Sequence, residues 1–600
     1  MIARKASALF AAALAVWSGL AVAQSDDLKA PLTARVSFAA LDGEPVLAAR
    51  PAEPLRLRVA LQSSVASEAP AGLTLFGWLR RVDPEGTSCG VAAEAFMRTG
   101  RLPVGTMFLN DPVIGVVTQD AGFAVSDPDF SLATANILGA TELPEQPASL
   151  VTDPQARRFL LSLPQRGEVL AIDATAGKTV LARGLKSPEL AVPGARGAVL
   201  VHERAGPVLH VAPGEEPQEI LSGVSRLIAT QAAGWSVALS GDHAMLLRTD
   251  GASVKVDLKI HSPGLRDAAA LVHFDDARPF ALALLGNTGV SLHYLDAPDR
   301  PVQVALPYPA ERLAAAPDGR VALAWKPSTT SPVQVIDIAR SRVVQTSLAQ
   351  EPVMEVAFSD STAFVMLESQ THVGALDLLA VARGQRAEFR EIQIGTAAPA
   401  PGTQGRRQLL APLWPMEGML AVHAPSYQGY RIMDGSVMGD APAMTATSLR
   451  GGVPQMVATL DRSFVEVELG VFETVTSLPG RGRFELVATT GLGGISFCSE
   501  VPVAFPEIGK APDVGTIYPE ETADGHRFAL RTGDDKPAAG MTGRVVFSAL
   551  QGSWKAVAQM QTDAEGRSLQ RYRLPDVPGI VVMFETAGLR FAPLILEEGL

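Results

Sequence analysis

The sequence predicts an all-β protein: a seven- or eight-bladed β-propeller flanked by β-sandwich, immunoglobulin-like modules. Three observations predict it. An apolar strand, a turn and a second strand ending in aliphatic-x-Asp or a close relative recur from about residue 110 to 440. The copies fall roughly forty residues apart, which is the period of a propeller blade whose faces are buried against its neighbours. Finally, 54 glycines and 44 prolines among 600 residues suit many short strands joined by tight turns.

Taken in chain order, the first element is not part of the fold. Residues 1–23 carry Arg4 and Lys5, an apolar run from Ala6 to about Leu20, and Ala21-Val22-Ala23 before Gln24. That is the pattern of a secretory signal peptide, so the mature protein is expected to be periplasmic or secreted. No later stretch reaches the roughly twenty apolar residues that span a bilayer, so no transmembrane segment is expected once the signal is removed. Residues 24–105 begin with the alternating strands TARVSFAALDGEPV and PLRLRVALQSS and read as an N-terminal sandwich-like module. Just after Cys89, VAAEAFMRTG (91–100) has the best helical period in the chain.

Residues 106–444 hold the repeats, among them FLLSLPQRGEVLAIDATAGKTV (159–180) and VALAWKPSTTSPVQVIDIARSRVV (321–344). Their anchors are Asp127, Asp173, Asp250, Asp296, Asp337, Asp377 and Asp434, with Val211-Ala212-Pro213 standing in for one. Eight copies favour eight blades, and seven follow if an outer copy is shared in closing the ring. Residues 445–508 have the regular strand spacing of a β-sandwich. Residues 509–600 form a last module, punctuated by Asp563-Ala564-Glu565-Gly566 and Pro578-Gly579 as in immunoglobulin-like domains.

A net charge of -12, without a Lys/Arg cluster, argues against nucleic acid and anionic membrane surfaces as partners, since both reward basic patches. The chain has two cysteines, Cys89 and Cys498. In a secreted protein an even count reads first as a disulfide, here tying the two ends of the chain together. A second reading is a soft-metal site. Met416, Met419, Met433, Met438, Met444 and Met456 crowd into about forty residues, and thiolate or thioether ligands select copper(I). Cys498 with Met433 and Met438 is the candidate set.

Covalent haem c is excluded because no C-x-x-C-H occurs. The nine histidines, including His202, His210, His243, His273, His293 and His423, are scattered without a motif that would mark an axial ligand. There is no G-x-S-x-G elbow, H-E-x-x-H, P-loop or dinucleotide fingerprint. The glycines of GLGGIS (491–496) lie between strands and read as a tight turn.

Several stretches carry a resemblance that runs from about residue 35 to the end. They are GWLRRVDPEGTSCGVAAEAFMRTGRL, YRIMDGSVMGD, TLDRSFVEVELGVFETVTSLP and GRFELVATTGLGGISFCSEVPV. Together with the repeats they resemble a family of secreted bacterial propeller proteins described as YVTN-type or cytochrome D1-type. Met433-Asp434-Gly435, Met438-Gly439 and Asp461-Arg462-Ser463 match its pattern. Phe497-Cys498-Ser499 departs from the family's His-Cys-Phe, and a histidine pair of its middle blades has no counterpart at LSGDHAMLLRTDG. The resemblance therefore implies the fold rather than a ligand set. The expected function is a non-catalytic periplasmic scaffold that binds a protein partner or small ligand without a cofactor. The alternative is a redox accessory or oxidoreductase-like protein using haem, quinone or copper.

Overall fold

The computed structural model describes residues 32–596 except 40–44, 47–53, 64–71, 83–86, 101, 103–105, 128–136, 175, 205, 274–277, 328, 388, 397–407, 415–416, 435–443, 450, 478–482, 491–495, 502–513, 523–524, 550–553, 576, 578 and 587–588. The expected signal peptide, Met438 and the glycines of GLGGIS lie outside them. Among the described residues no helix is long and apolar enough to cross a membrane.

The body of the chain is a series of four-stranded antiparallel sheets. Seven span residues 149–182, 188–221, 226–261, 267–305, 312–348, 353–393 and 410–448. An eighth combines Pro112–Thr118, Gly122–Ser126 and Ile137–Glu142 with Pro454–Asp461 from the far end of the chain. First strands of neighbouring sheets touch each other: Ser149–Asp153 meets Pro188–Pro193 on one side and Pro454–Asp461 on the other, and Leu410–Pro412 meets Val353–Phe358 and Pro454–Asp461. First strands facing one axis, with later strands fanning outward, are the arrangement of a β-propeller.

The sequence of each strand follows from its place. Second strands such as Arg158–Leu163 (RFLLSL) and Val321–Trp325 (VALAW) are buried along almost their whole length, because neighbouring sheets cover both faces. Fourth strands such as Val254–His261 (VKVDLKIH) are mostly exposed. Sheets come close enough that Gly115 lies between Phe123 and Phe159, where an added Cβ would stand 2.8 Å from the Phe159 ring.

The aspartates that set the repeat close the third strand of their sheets and tie the turn that follows. Asp173 accepts from Gly177 N at 2.9 Å, Asp250 from Ser253 N at 2.9 Å and Asp337 from Arg340 N at 3.0 Å. Asp377 caps the short helix Leu378–Ala382 by accepting from Ala380 N.

The expected boundary at 444/445 is crossed. Pro454–Asp461 completes the sheet of residues 112–142 as its first strand, so the ring is closed by the returning chain. The segments 24–105 and 445–508, read as separate modules, also share sheets. Pro54–Ser63 pairs with Val471–Ser477, opposing Leu57 to Thr474, and Phe76–Arg81 pairs with Phe484–Thr489, opposing Trp78 to Val487. One core holds Leu57, Val59, Leu79, Phe472 and Leu486. Alternation of apolar residues marks a strand but not its partner, which here lies some 400 residues away.

The helix read over 91–100 spans Cys89–Thr99 and ends at Gly100, whose φ of 62° suits a glycine. Its Phe96 packs on Trp78, Phe76 and Phe108. Residues 514–596 form a seven-stranded sheet around Phe528, Phe547, Tyr572 and Val582. It contacts the ring where Arg544 pairs with Glu142 at 2.5 Å and Lys555 pairs with Asp120 and donates to Gly451 O.

Candidate functional site

A cavity of about 640 Å³ opens on the outer face of the ring between two neighbouring sheets. Its walls are the fourth strands Arg342–Leu348 and Phe389–Gln393, with Arg386 and Ala387 leading into the second. Fourth strands have no further strand beyond them, so each wall offers a sheet edge. The Gln345 amide holds the walls in place: its nitrogen donates to Ala387 O at 2.8 Å and its oxygen accepts from Ala387 N at 3.0 Å. Gln350 N donates to Glu391 across the gap at 3.3 Å.

Within the groove Ser347 and Ala387 are buried and Phe389 is half-buried, whereas Leu348 stands 67% exposed on the rim. Phe389 packs over Gly374, where a Cβ would come within 2.2 Å of the ring. The site therefore combines an apolar anchor, two edge strands and the opposite charges of Arg386 and Glu391. Its size falls within the range of ligand pockets, about 300–1,000 Å³. Such a set of groups can recognise a ligand; among the described lining residues no nucleophile is paired with a base.

Polar side chains also link the first strands around the axis. Thr152 donates to Thr459 O at 2.8 Å, and Thr459 in turn donates to Pro412 O. Asp267 pairs with Arg226 at 2.9 Å and accepts from Leu313 N at 3.0 Å; burial nevertheless raises its pKa, against the pull of Arg226. Glu355 accepts from Leu409 N at 2.7 Å and Leu410 N at 3.3 Å. Loss of hydration pushes the Glu355 pKa up to about 8, against the two N–H donors. Both carboxylates are engaged by backbone of the neighbouring sheet, which makes them ties between sheets.

Cys89 and Cys498 are joined in a disulfide with Cα atoms 6.0 Å apart. Cys498 lies on Ser496–Val501 opposite Val487, itself opposite Trp78, so the bond pins the start of the Cys89–Thr99 helix to that sheet. Cys498 thus has no thiolate for a soft metal. Met433 ends the strand Gln428–Met433 of a ring sheet, and the structure does not bring it together with Cys498 in one sheet. Among the described residues no group of three or more His, Cys, Asp or Glu could hold a metal.

The histidines named from the sequence are dispersed. His202 bonds Val224 O at 3.0 Å and His293 bonds Pro298 O and Ser291. His273 stacks on Phe280, and His423 is buried beside Ser426 and Gly395. His210 is buried on Val208–Val211, and His243 lies beside His261. Asp434 binds Ser359 and Ser361, and Asp360 beside it has its pKa raised by partial burial and by the Glu417 and Asp434 charges. Sequence reasoning missed the groove, Glu355 and the ion pair of Arg462 with Asp127. The last was within reach, since Asp127 and Asp461-Arg462-Ser463 were both singled out, but nothing in their spacing joins them.

No family model matches the chain, and no curated protein matches it in sequence. Among solved structures it is similar to apo AztD from Citrobacter koseri, at 13% identity and a TM-score of 0.43, covering 59% of this chain and 98% of that one. It is also similar to dihydro-heme d1 dehydrogenase NirN in complex with DHE, at 14% identity and a TM-score of 0.39, covering 57% and 74%. A third is Sqt1 from Saccharomyces cerevisiae, at 11% identity and a TM-score of 0.38, covering 59% and 96%. At these TM-scores the likenesses carry no argument about function, and the propeller arrangement rests on the sheet order and the contacts between first strands.

Proposed function

We propose that the chain is a secreted, non-catalytic scaffold, an eight-bladed propeller with immunoglobulin-like flanks, that binds a protein partner through its outer face. The observation that carries this reading is the groove between Arg342–Leu348 and Phe389–Gln393. The two edge strands that line it supply N–H and C=O groups for an extended segment, Phe389 and Leu348 supply apolar contact, and the charges of Arg386 and Glu391 orient it. The periplasm is the expected compartment, which N-terminal sequencing of the mature protein would test by finding Gln24 first.

The binding role is tested with a photo-crosslinking amino acid at Leu348 in the full chain expressed in a bacterial periplasm. Val256, 48% exposed on another fourth strand, is the control position. A discrete adduct from 348, absent from 256 and lost on Phe389→Ala, is the expected result. Equal adducts from both positions, or none, would count against the groove.

A further inference from the structure

We propose that His243 and His261 form a binding site for a late divalent transition-metal ion, with copper(II) the tightest. His243 begins the strand His243–Thr249 and His261 ends Val254–His261, and the two are direct cross-strand partners. Partners across an antiparallel pair project to the same face. Their ring centroids are 4.9 Å apart, with the planes inclined at 48°.

That separation fits a shared ion once one nitrogen of each ring is turned toward it. With a metal–nitrogen distance of about 2.0 Å and the ring centroid about 1.1 Å behind the nitrogen, centroids 4.9 Å apart subtend roughly 100–105° at the metal. The angle lies between the cis angle of a tetragonal site and the tetrahedral angle, so it suits copper(II), nickel(II) or zinc(II).

The backbone around the pair is fixed before any ion arrives. Ser262 N, just past His261, donates to Asp242 O at 2.7 Å, and Gly264 N donates to the Asp242 carboxylate at 2.9 Å. The turn before His243 is thereby tied to the loop after His261. Neither imidazole makes a hydrogen bond or ion pair among the described residues, in contrast to His202 and His293. Their nitrogens are available as ligands. His243 is half-buried and His261 exposed, so the remaining coordination positions fall to water and the ion exchanges freely. The pair lies on the two outermost strands of its sheet, away from both the ring axis and the groove. The site is independent of the scaffold reading.

The test uses the purified full chain titrated with copper(II) and followed by electron paramagnetic resonance. One equivalent is expected to bind with hyperfine structure from two imidazole nitrogens. His243→Gln and His261→Gln should each weaken that equivalent at least tenfold. His273→Gln, which removes a ring stacked on Phe280, should leave it unchanged. His261 is exposed at a strand end, so its variant keeps the test valid where His243→Gln fails to fold. The proposal falls if the His261→Gln variant binds copper as the parent does, or if the bound ion shows a single imidazole nitrogen.

Discussion

Arg462 and Asp127, 335 positions apart in sequence, form an ion pair of 2.6 Å with both side chains almost wholly buried. Arg462 also donates to Phe108 O, and its own carbonyl accepts from Thr474. This one residue therefore joins the sheet that closes the ring and the strand Met107–Phe108 through its guanidinium, and the strand Val471–Ser477 through its carbonyl. Removing one partner leaves an uncompensated buried charge, which costs about 3–5 kcal/mol. Asp127→Asn and Arg462→Met are each expected to lower unfolding free energy by that order in urea titrations. The double change Asp127→Leu with Arg462→Met should recover much of the loss, since no lone charge remains.

The Cys89–Cys498 bond encloses a loop of 409 residues. Protein denatured without reductant and treated with an alkylating agent should gain no alkyl group by intact mass. Replacing both cysteines with serine should lower stability by on the order of 5 kcal/mol through the regained entropy of the unfolded chain. The loss should be concentrated in the sheet where Phe76–Arg81 pairs with Phe484–Thr489, rather than in the ring. Hydrogen exchange resolved by segment checks this, with faster exchange expected in Phe484–Thr489 and Ser496–Val501.

Glu355 gives a pH dependence of known sign. Its folded pKa of about 8 lies above the unfolded value of 4.5, so the folded state favours the proton. The stability it contributes is complete below pH 4.5 and is lost as pH rises through 8. Glu355→Gln keeps an acceptor for Leu409 N and Leu410 N without a charge. Urea midpoints of variant and parent should be similar at about pH 4 and separate in the variant's favour by about pH 9. Parallel curves would show that Glu355 titrates alike in both states.

A second raised carboxyl lies where the C-terminal module meets the ring. Burial, and then the hydrogen bond that protonated Glu585 donates to Glu142, push the Glu585 pKa up to about 7, with Arg544 and Lys178 opposing. Arg544 spans both carboxylates, at 2.5 Å from Glu142 and 3.4 Å from Glu585. Above pH 7 Glu585 gains its charge beside Glu142, and the contact should loosen. Exchange in Ile137–Glu142, corrected for intrinsic rates, should rise between pH 6 and 8 in the parent. In Glu585→Gln it should stay level.

The sequence read the strands and their period because both are local. Two buried faces force continuous apolar runs such as FLLSL, and the turn after each third strand calls for an acceptor, which Asp173, Asp250 and Asp337 provide. The Cys89–Thr99 helix was legible for the same reason, from its apolar spacing and the glycine that ends it. The groove was not legible: Arg342–Leu348 and Phe389–Gln393 each read as an ordinary outer strand, and only their separation makes a cavity. The His243–His261 pair was equally hidden, because a register shift between Leu246 and Leu247 helps decide which residue faces His243.

By itself, then, the sequence determined an all-β chain built on a repeat of about forty residues, an acidic surface and two cysteines fit to be paired. Only the tertiary structure decided that Pro454–Asp461 returns to close the ring, that residues 54–63 and 471–477 share a sheet, and that Arg462 meets Asp127. The physical reason is range. Propensity and alternation act over a few residues, whereas strand pairing and burial of charge depend on which distant segments compete for the same edge.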